Sequence, residues 1–178
     1  MLALASADFA PACRRATSIA GMTTRTERQL LHEVEINAPV ERVWELISDV
    51  RNAPQWSSQA RKVFAFGPAT KAGTFSVNLN HRGVIAWPTW AKVTDFQPGK
   101  RFANEVGMAG ATWVFELEPG SGENTTILRQ YRETYYPRGF IAGRVVTPAM
   151  GGEDPYNEFM DARVGESLEK IKNIVEAG

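Results

Sequence analysis

Apolar and polar positions change period three times along the chain. LLHEVEIN, residues 30–37, alternates in part and predicts a strand. Pro39 follows, at a first helical position that tolerates proline because its N–H would have no helical partner. Val40, Val43, Trp44 and Ile47 then fall at i, i+3, i+4 and i+7, with Glu41, Arg42 and Glu45 opposite, which predicts an amphipathic helix. A short second helical turn is predicted over 50–56, confined by Pro54. From about 60 to 135 the period falls to two. RKVFAF, TFSVNLN, VIAWPTWAKVTDF, RFANEV, ATWVFELE and TTILRQYRETYY are separated by turn-forming stretches such as NHRG and QPGK, and together predict an antiparallel meander. Pro88 cannot donate to a ladder and predicts a bulge or unpaired position in the long run 84–96.

The helical period returns at the end. Asp154 and Pro155 suit an N-cap and first helical residue, and Tyr156, Met160, Val164, Leu168, Ile171 and Val175 form a stripe that Phe159 widens. A helix over 155–176 would be roughly 33 Å long, enough to cross a sheet. Gly165 interrupts it at a cost of about 1 kcal/mol relative to alanine, so it marks a close approach to the sheet or room kept open. The predicted fold is α+β: a curved seven-stranded antiparallel sheet wrapped around a long C-terminal helix, with two short helices after the first strand. A twisted sheet cannot lie flush along a straight helix, so a gap between them is expected.

Residues 1–28 lack this periodicity and are rich in Ala, Ser, Thr and Arg. Their apolar MLALA precedes Arg14 and Arg15, the reverse of a signal peptide's order, so they read as a disordered tail or an over-extended start ahead of Met22. Residues 29–178 form the predicted domain. Twenty basic residues balance twenty acidic ones, which gives no global field for nucleic acid. Cys13 is the single cysteine, so an internal disulfide framework is excluded and a cytoplasmic setting fits. No apolar run reaches the length of a membrane span. His32 and His81 have no metal-ligand spacing around them, no G-x-S-x-G elbow is present, and GSGEN at 120–124 joins two strands as a hairpin turn. No metal or cofactor is expected.

INAPVERVWELISDVRNAPQW, VTDFQPGKRF, WVFELEPGSGENTTI and the closing helix resemble the START/SRPBCC helix-grip superfamily, its polyketide cyclase/dehydrase branch in particular, over about residues 30–176. The first block carries most of that resemblance. It implies a cavity between sheet and C-terminal helix that holds an apolar small molecule. Some members cyclise or dehydrate their ligand, others carry lipid, and some bind a protein partner. Within the first block Trp44 and Trp56 read as core residues, and Asp49 as a cap for local backbone N–H groups.

Trp113, Phe115 and Leu117 form one apolar strand face; Ile85, Trp87 and Val93 form another. On the last strand, Ile127 matches the core-facing position that follows the turn in the resembling families. Arg129, Tyr131 and Glu133 would then line the cavity and supply any proton transfer. A register shifted by one would turn Leu128, Gln130 and Arg132 inward instead. The segment 136–152 carries Phe140 and Ile141 among several glycines and reads as a lid. Tyr156, Phe159, Met160 and Val164 complete the expected ligand wall, together with Trp87, Trp113 and Phe115. The expected function is binding of an apolar or aromatic, lipid-like or polyketide-like molecule. A cyclase or dehydratase using Arg129, Tyr131 or Glu133 is the alternative, and a protein-interaction module the second.

Overall fold

A computed structural model describes residues 18–19, 22–23, 25–82, 84–107, 111–136 and 153–178. A two-stranded ribbon, β1 (Ser18–Ile19) and β2 (Met22–Thr23), precedes β3 (Arg25–Ile36). Two helices follow: α1 (Val40–Ser48) and, after a 3₁₀ turn at Val50–Asn52, α2 (Ala53–Trp56). Six strands come next: β4 (Ala60–Ala65), β5 (Phe75–Arg82), β6 (Ile85–Gln97), β7 (Arg101–Val106), β8 (Ala111–Pro119) and β9 (Thr126–Tyr136). The chain closes on α3 (Glu153–Ala177). Strands β3 to β9 form one antiparallel sheet in the order β3-β9-β8-β7-β6-β5-β4. This is the predicted α+β architecture, with β3 beginning at Arg25 rather than at 30.

The helical face of α1 buries Val43 and Ile47 completely, each contributing about 1.5–3 kcal/mol of apolar transfer. Pro39 is the N-cap, one position before its predicted place, with extended backbone. Asp49 ends α1 and accepts from the Arg51 N–H (3.0 Å) and the Thr70 hydroxyl (2.9 Å), so it caps as expected. Burial raises its pKa, but those hydrogen bonds and the Arg51 guanidinium outweigh it and hold the carboxyl below its ordinary value.

Three irregularities interrupt the described register. One lies between Ala60 and Lys62, where β4 meets β5, and the other two keep inward residues in phase. Leu30 adopts a left-handed backbone (φ 57°) at a bulge between Gln29 and His32. Leu30 and Leu31 there oppose the single Tyr131, so that Gln29, His32, Val34 and Ile36 all share the concave side. That bulge is why LLHEVEIN alternates only in part. The second lies between Val93 and Asp95, where β6 meets β7. Pro88 does not bulge: it pairs with Leu79 in regular register, just beyond the last β6–β7 rung at Ala91–Val106. Proline is tolerated there because β6 has run past β7.

The core lies at the α1 end of the sheet. Leu168, Ile171 and Val175 of α3 pack there with Ile36, Val43, Ile47 and Leu128, all buried. Trp44, Phe96, Phe102, Phe115 and Trp56 form a chain of ring contacts through it, with centroids 5.2, 6.3, 6.3 and 5.5 Å apart in turn. The two tryptophans of the first sequence block are the ends of that chain.

Gly165 does not keep room beside the cavity. A Cβ there would meet the His32 ring at 3.7 Å, ordinary van der Waals contact, and His32 Nε2 in turn lies 2.8 Å from Asp161 Oδ1. Gly165→Ala is therefore expected to raise stability by about 1 kcal/mol through helix propensity. Thermal melting should rise by about 2–4 °C at this chain length, with ligand-probe affinity unchanged. A fall in melting temperature would contradict the placement.

Candidate functional site

Toward its N-terminal half α3 separates from the sheet, and a cavity of about 250 Å³ opens between them. The strands supply its floor by strict alternation. Phe115 on β8 sits across from Phe102 on β7 and Gln130 on β9; Trp113 sits across from Asn104. Asn78 pairs with Thr89 and Asn80 with Trp87 across β5 and β6. Phe159, Met160, Arg163, Val164 and Ser167 close it from α3, and Trp56 from α2.

Two contacts hold the rim. Ser58 Oγ donates to Glu166 Oε2 at 2.7 Å, and Gln59 Nε2 approaches Met160 Sδ at 3.4 Å, joining the segment before β4 to α3. The Ser58 hydroxyl is the main cause of a Glu166 pKa held below the usual carboxylate value; burial opposes it and Arg163 assists it.

The cavity is apolar and aromatic with a band of uncharged polar groups. Part of the band is satisfied internally: Ser76 Oγ donates to Asn78 Oδ1 at 3.1 Å, and Asn80 Nδ2 donates to Thr89 Oγ1 at 2.8 Å. Among the described residues, three buried atoms of the lining have no hydrogen-bond partner: Trp56 Nε1, Asn104 Oδ1 and Gln130 Oε1. A buried donor or acceptor left unpaired costs about 1–3 kcal/mol. One donor and two acceptors in an apolar cavity are what a ligand bearing both hydroxyl and carbonyl oxygens would satisfy. Arg163 is the sole ionisable side chain among the described lining residues.

Of the residues expected from sequence, Trp87, Trp113, Phe115, Phe159, Met160 and Val164 line this cavity. Arg129, Tyr131 and Glu133 do not. Gln130, between them, lines the cavity, so these three lie on the outer face and the alternative register holds. Tyr131 is fully buried there, between Ala103 and Val114 and beneath Arg101, whose Nη1 donates to its hydroxyl at 2.8 Å. That hydroxyl donates to Glu116 at 2.7 Å, and Glu133 lies 3.7 Å from Arg101. Arg129 is paired with Glu33 and Glu118, each at 2.7 Å. The physical reason is strand alternation: Gln130 pairs with the inward-facing Phe115, so its neighbours point to the opposite face, where charges surround the buried Tyr131, Ala103 and Val114.

Phe140 and Ile141, with the rest of the expected lid after Tyr136, lie outside the described residues, as does the Tyr156 side chain. Sequence reasoning missed Asn104, read Trp56 as core alone, and had Gln130 facing inward only under the alternative register. The pairing of Leu117 with Leu128 across the 120–125 turn would have found Gln130, because Trp113, Phe115 and Leu117 were already legible as inward.

A curved antiparallel sheet gripping a long C-terminal helix around an internal cavity defines a helix-grip protein. Residues 27–176 match the family described as polyketide cyclase / dehydrase and lipid transport, and the chain belongs to it. No curated protein matches the chain in sequence. Among solved structures, an uncharacterised protein from Bacillus thuringiensis superposes with a TM-score of 0.60 at 14% identity, over 84% of this chain and 98% of its own. A Bacillus halodurans protein gives 0.58 at 24% identity, over 83% and 96%. The di-domain ARO/CYC BexL from the BE-7585A biosynthetic pathway gives 0.59 at 18% identity. That match takes in 85% of this chain and 46% of BexL. At these identities the likeness is one of fold. Among the described residues no helix is long and apolar enough to cross a membrane.

Proposed function

We propose that the cavity binds a small aromatic or lipid-like molecule bearing oxygen substituents, such as a polyketide-like compound. The carrying observation is the set of buried atoms without a partner among the described residues, Trp56 Nε1, Asn104 Oδ1 and Gln130 Oε1, on residues that line an aromatic wall. Ligand sites typically combine an apolar lining with a few polar groups that fix orientation. The volume of about 250 Å³ exceeds the roughly 150 Å³ that holds a single benzene ring, so about two fused rings fit. Family membership and the ARO/CYC neighbour support the same class of ligand. Passive binding is favoured over proton-transfer catalysis because the expected acid–base residues Arg129, Tyr131 and Glu133 face away, and Arg163 is the one ionisable group of the described lining. The single cysteine, Cys13, supports a reducing, cytoplasmic setting.

Titration with a dihydroxylated two-ring aromatic tests this. Micromolar affinity, about −8 kcal/mol, is expected. Tryptophan emission should be quenched, because Trp56, Trp87 and Trp113 all line the cavity. Unchanged emission across hydroxylated aromatics and fatty acids would contradict the reading.

A further inference from the structure

The outer face of β4–β6 is built unlike the outer face of β7–β9, where charges pair with one another. Its register gives three rows across the strands: Phe66, Phe75 and Lys92; Phe64, Val77 and Trp90; Lys62, Leu79 and Pro88. Four rings in these rows stand in solvent, Phe66 at 62% exposure, Phe64 at 52%, Trp90 at 42% and Phe75 at 40%. Phe66 and Phe75 are in ring contact at 5.9 Å, and Lys62 Nζ sits 4.9 Å over Phe64. Gly107 lets the Trp90 indole lie across the β7 end, since a Cβ there would fall 1.8 Å from Trp90 Nε1. Large contiguous apolar patches on a protein surface mark interaction sites.

The sequence that builds the patch is one-sided in charge, in a chain that is neutral overall. Between Asp49 and Asp95 the sequence carries Arg51, Arg61, Lys62, Lys71, Arg82 and Lys92 and no aspartate or glutamate. These residues supply all of β4 and β5 and most of β6. The nearest carboxylate in register is Glu105, across from Lys92 at the border with β7. A partner must therefore offer an apolar interior beneath negative charge.

We propose that this face docks on the surface of an anionic lipid bilayer. The rings would enter the headgroup and acyl boundary while Lys62 and Lys92 meet lipid phosphates, the pairing that holds basic amphipathic surfaces to membranes. Val77, Leu79 and Pro88 fill the space between the rings with aliphatic surface. A single strand would use only the rings, by stacking, whereas an acyl layer also covers the aliphatic surface between them, so the composition favours lipid. The opposite face of the same strands walls the cavity, but the docking proposal does not depend on what fills it.

Co-sedimentation of the full chain with vesicles tests it, comparing phosphatidylcholine alone with phosphatidylcholine mixed with phosphatidylserine. Binding is expected to the mixed vesicles and to weaken as salt rises. Lys62→Glu with Lys92→Glu should weaken it by roughly tenfold or more. Phe64→Ser with Phe66→Ser should abolish it, while melting temperature and probe binding in the cavity stay unchanged, since both rings are exposed. Three results would overturn the proposal. One is failure of the folded protein to bind anionic vesicles, or binding indifferent to both double variants. Another is displacement by a single-stranded oligonucleotide that binds the same face more tightly. The third is a stable dimer that Phe64→Ser dissociates, which would make the patch an interface between copies.

Discussion

Gln130→Leu is expected to make the protein more stable and its cavity a poorer host. Leucine has nearly the volume of glutamine and removes a buried carbonyl oxygen that no group in the described structure satisfies. Relief of that desolvation should raise stability by about 1–2 kcal/mol, a melting shift of about 2–8 °C upward. The same change should weaken a dihydroxylated two-ring ligand by about tenfold, one hydrogen bond's worth, and leave the parent hydrocarbon unaffected or better bound. Opposite signs for stability and binding are what a residue kept for a ligand must show. Thermal melting and paired titrations measure both. A destabilised Gln130→Leu protein would mean that Gln130 serves the fold instead.

Phe115→Ala is expected to have the largest effect on the fold. The ring is buried at 2% exposure and touches both Trp56 and Phe102, so it joins the α2 end of the aromatic chain to the sheet. Truncating a buried phenylalanine costs about 3–5 kcal/mol. That corresponds to a fall of about 10 °C or more in melting temperature for a chain of this size. Probe binding should fail with it, since the ring also forms the cavity wall. Phe115→Leu should restore most of the stability and part of the binding. A melting temperature within a degree or two of the unaltered protein would show that Phe115 is not central to the core.

The elements were legible because each has one dominant period. Val40, Val43, Trp44 and Ile47 face one way on any helix, and Trp113, Phe115 and Leu117 on any strand. The closing stripe was legible too, though not its division of labour: Leu168, Ile171 and Val175 fill the core while Met160 and Val164 roof the cavity. That division depends on where a straight helix leaves a twisted sheet, which periodicity does not encode. β9 was the failure. Its two faces are both mixed, Ile127, Arg129, Tyr131 and Glu133 against Leu128, Gln130 and Arg132, so alternation alone cannot choose between them. Arg132 makes the choice less obvious still. It is almost fully buried on the inner side, where it donates to Gln29 and Asn157, each at 2.6 Å. The Leu30–Leu31 bulge likewise left no mark beyond an imperfect pattern. Register is set by the pairing partner, and the partner lies in another part of the sequence.

Native mass spectrometry of the full chain, titrated with hydroxylated two-ring aromatics, distinguishes a built ligand site from a merely apolar gap. A one-to-one adduct on the 19.7 kDa chain is expected, giving way to the bare protein on denaturation and weakened in the Gln130→Leu variant. A protein that stays at its bare mass throughout the titration, or takes up several copies without saturating and is indifferent to Gln130→Leu, would contradict it.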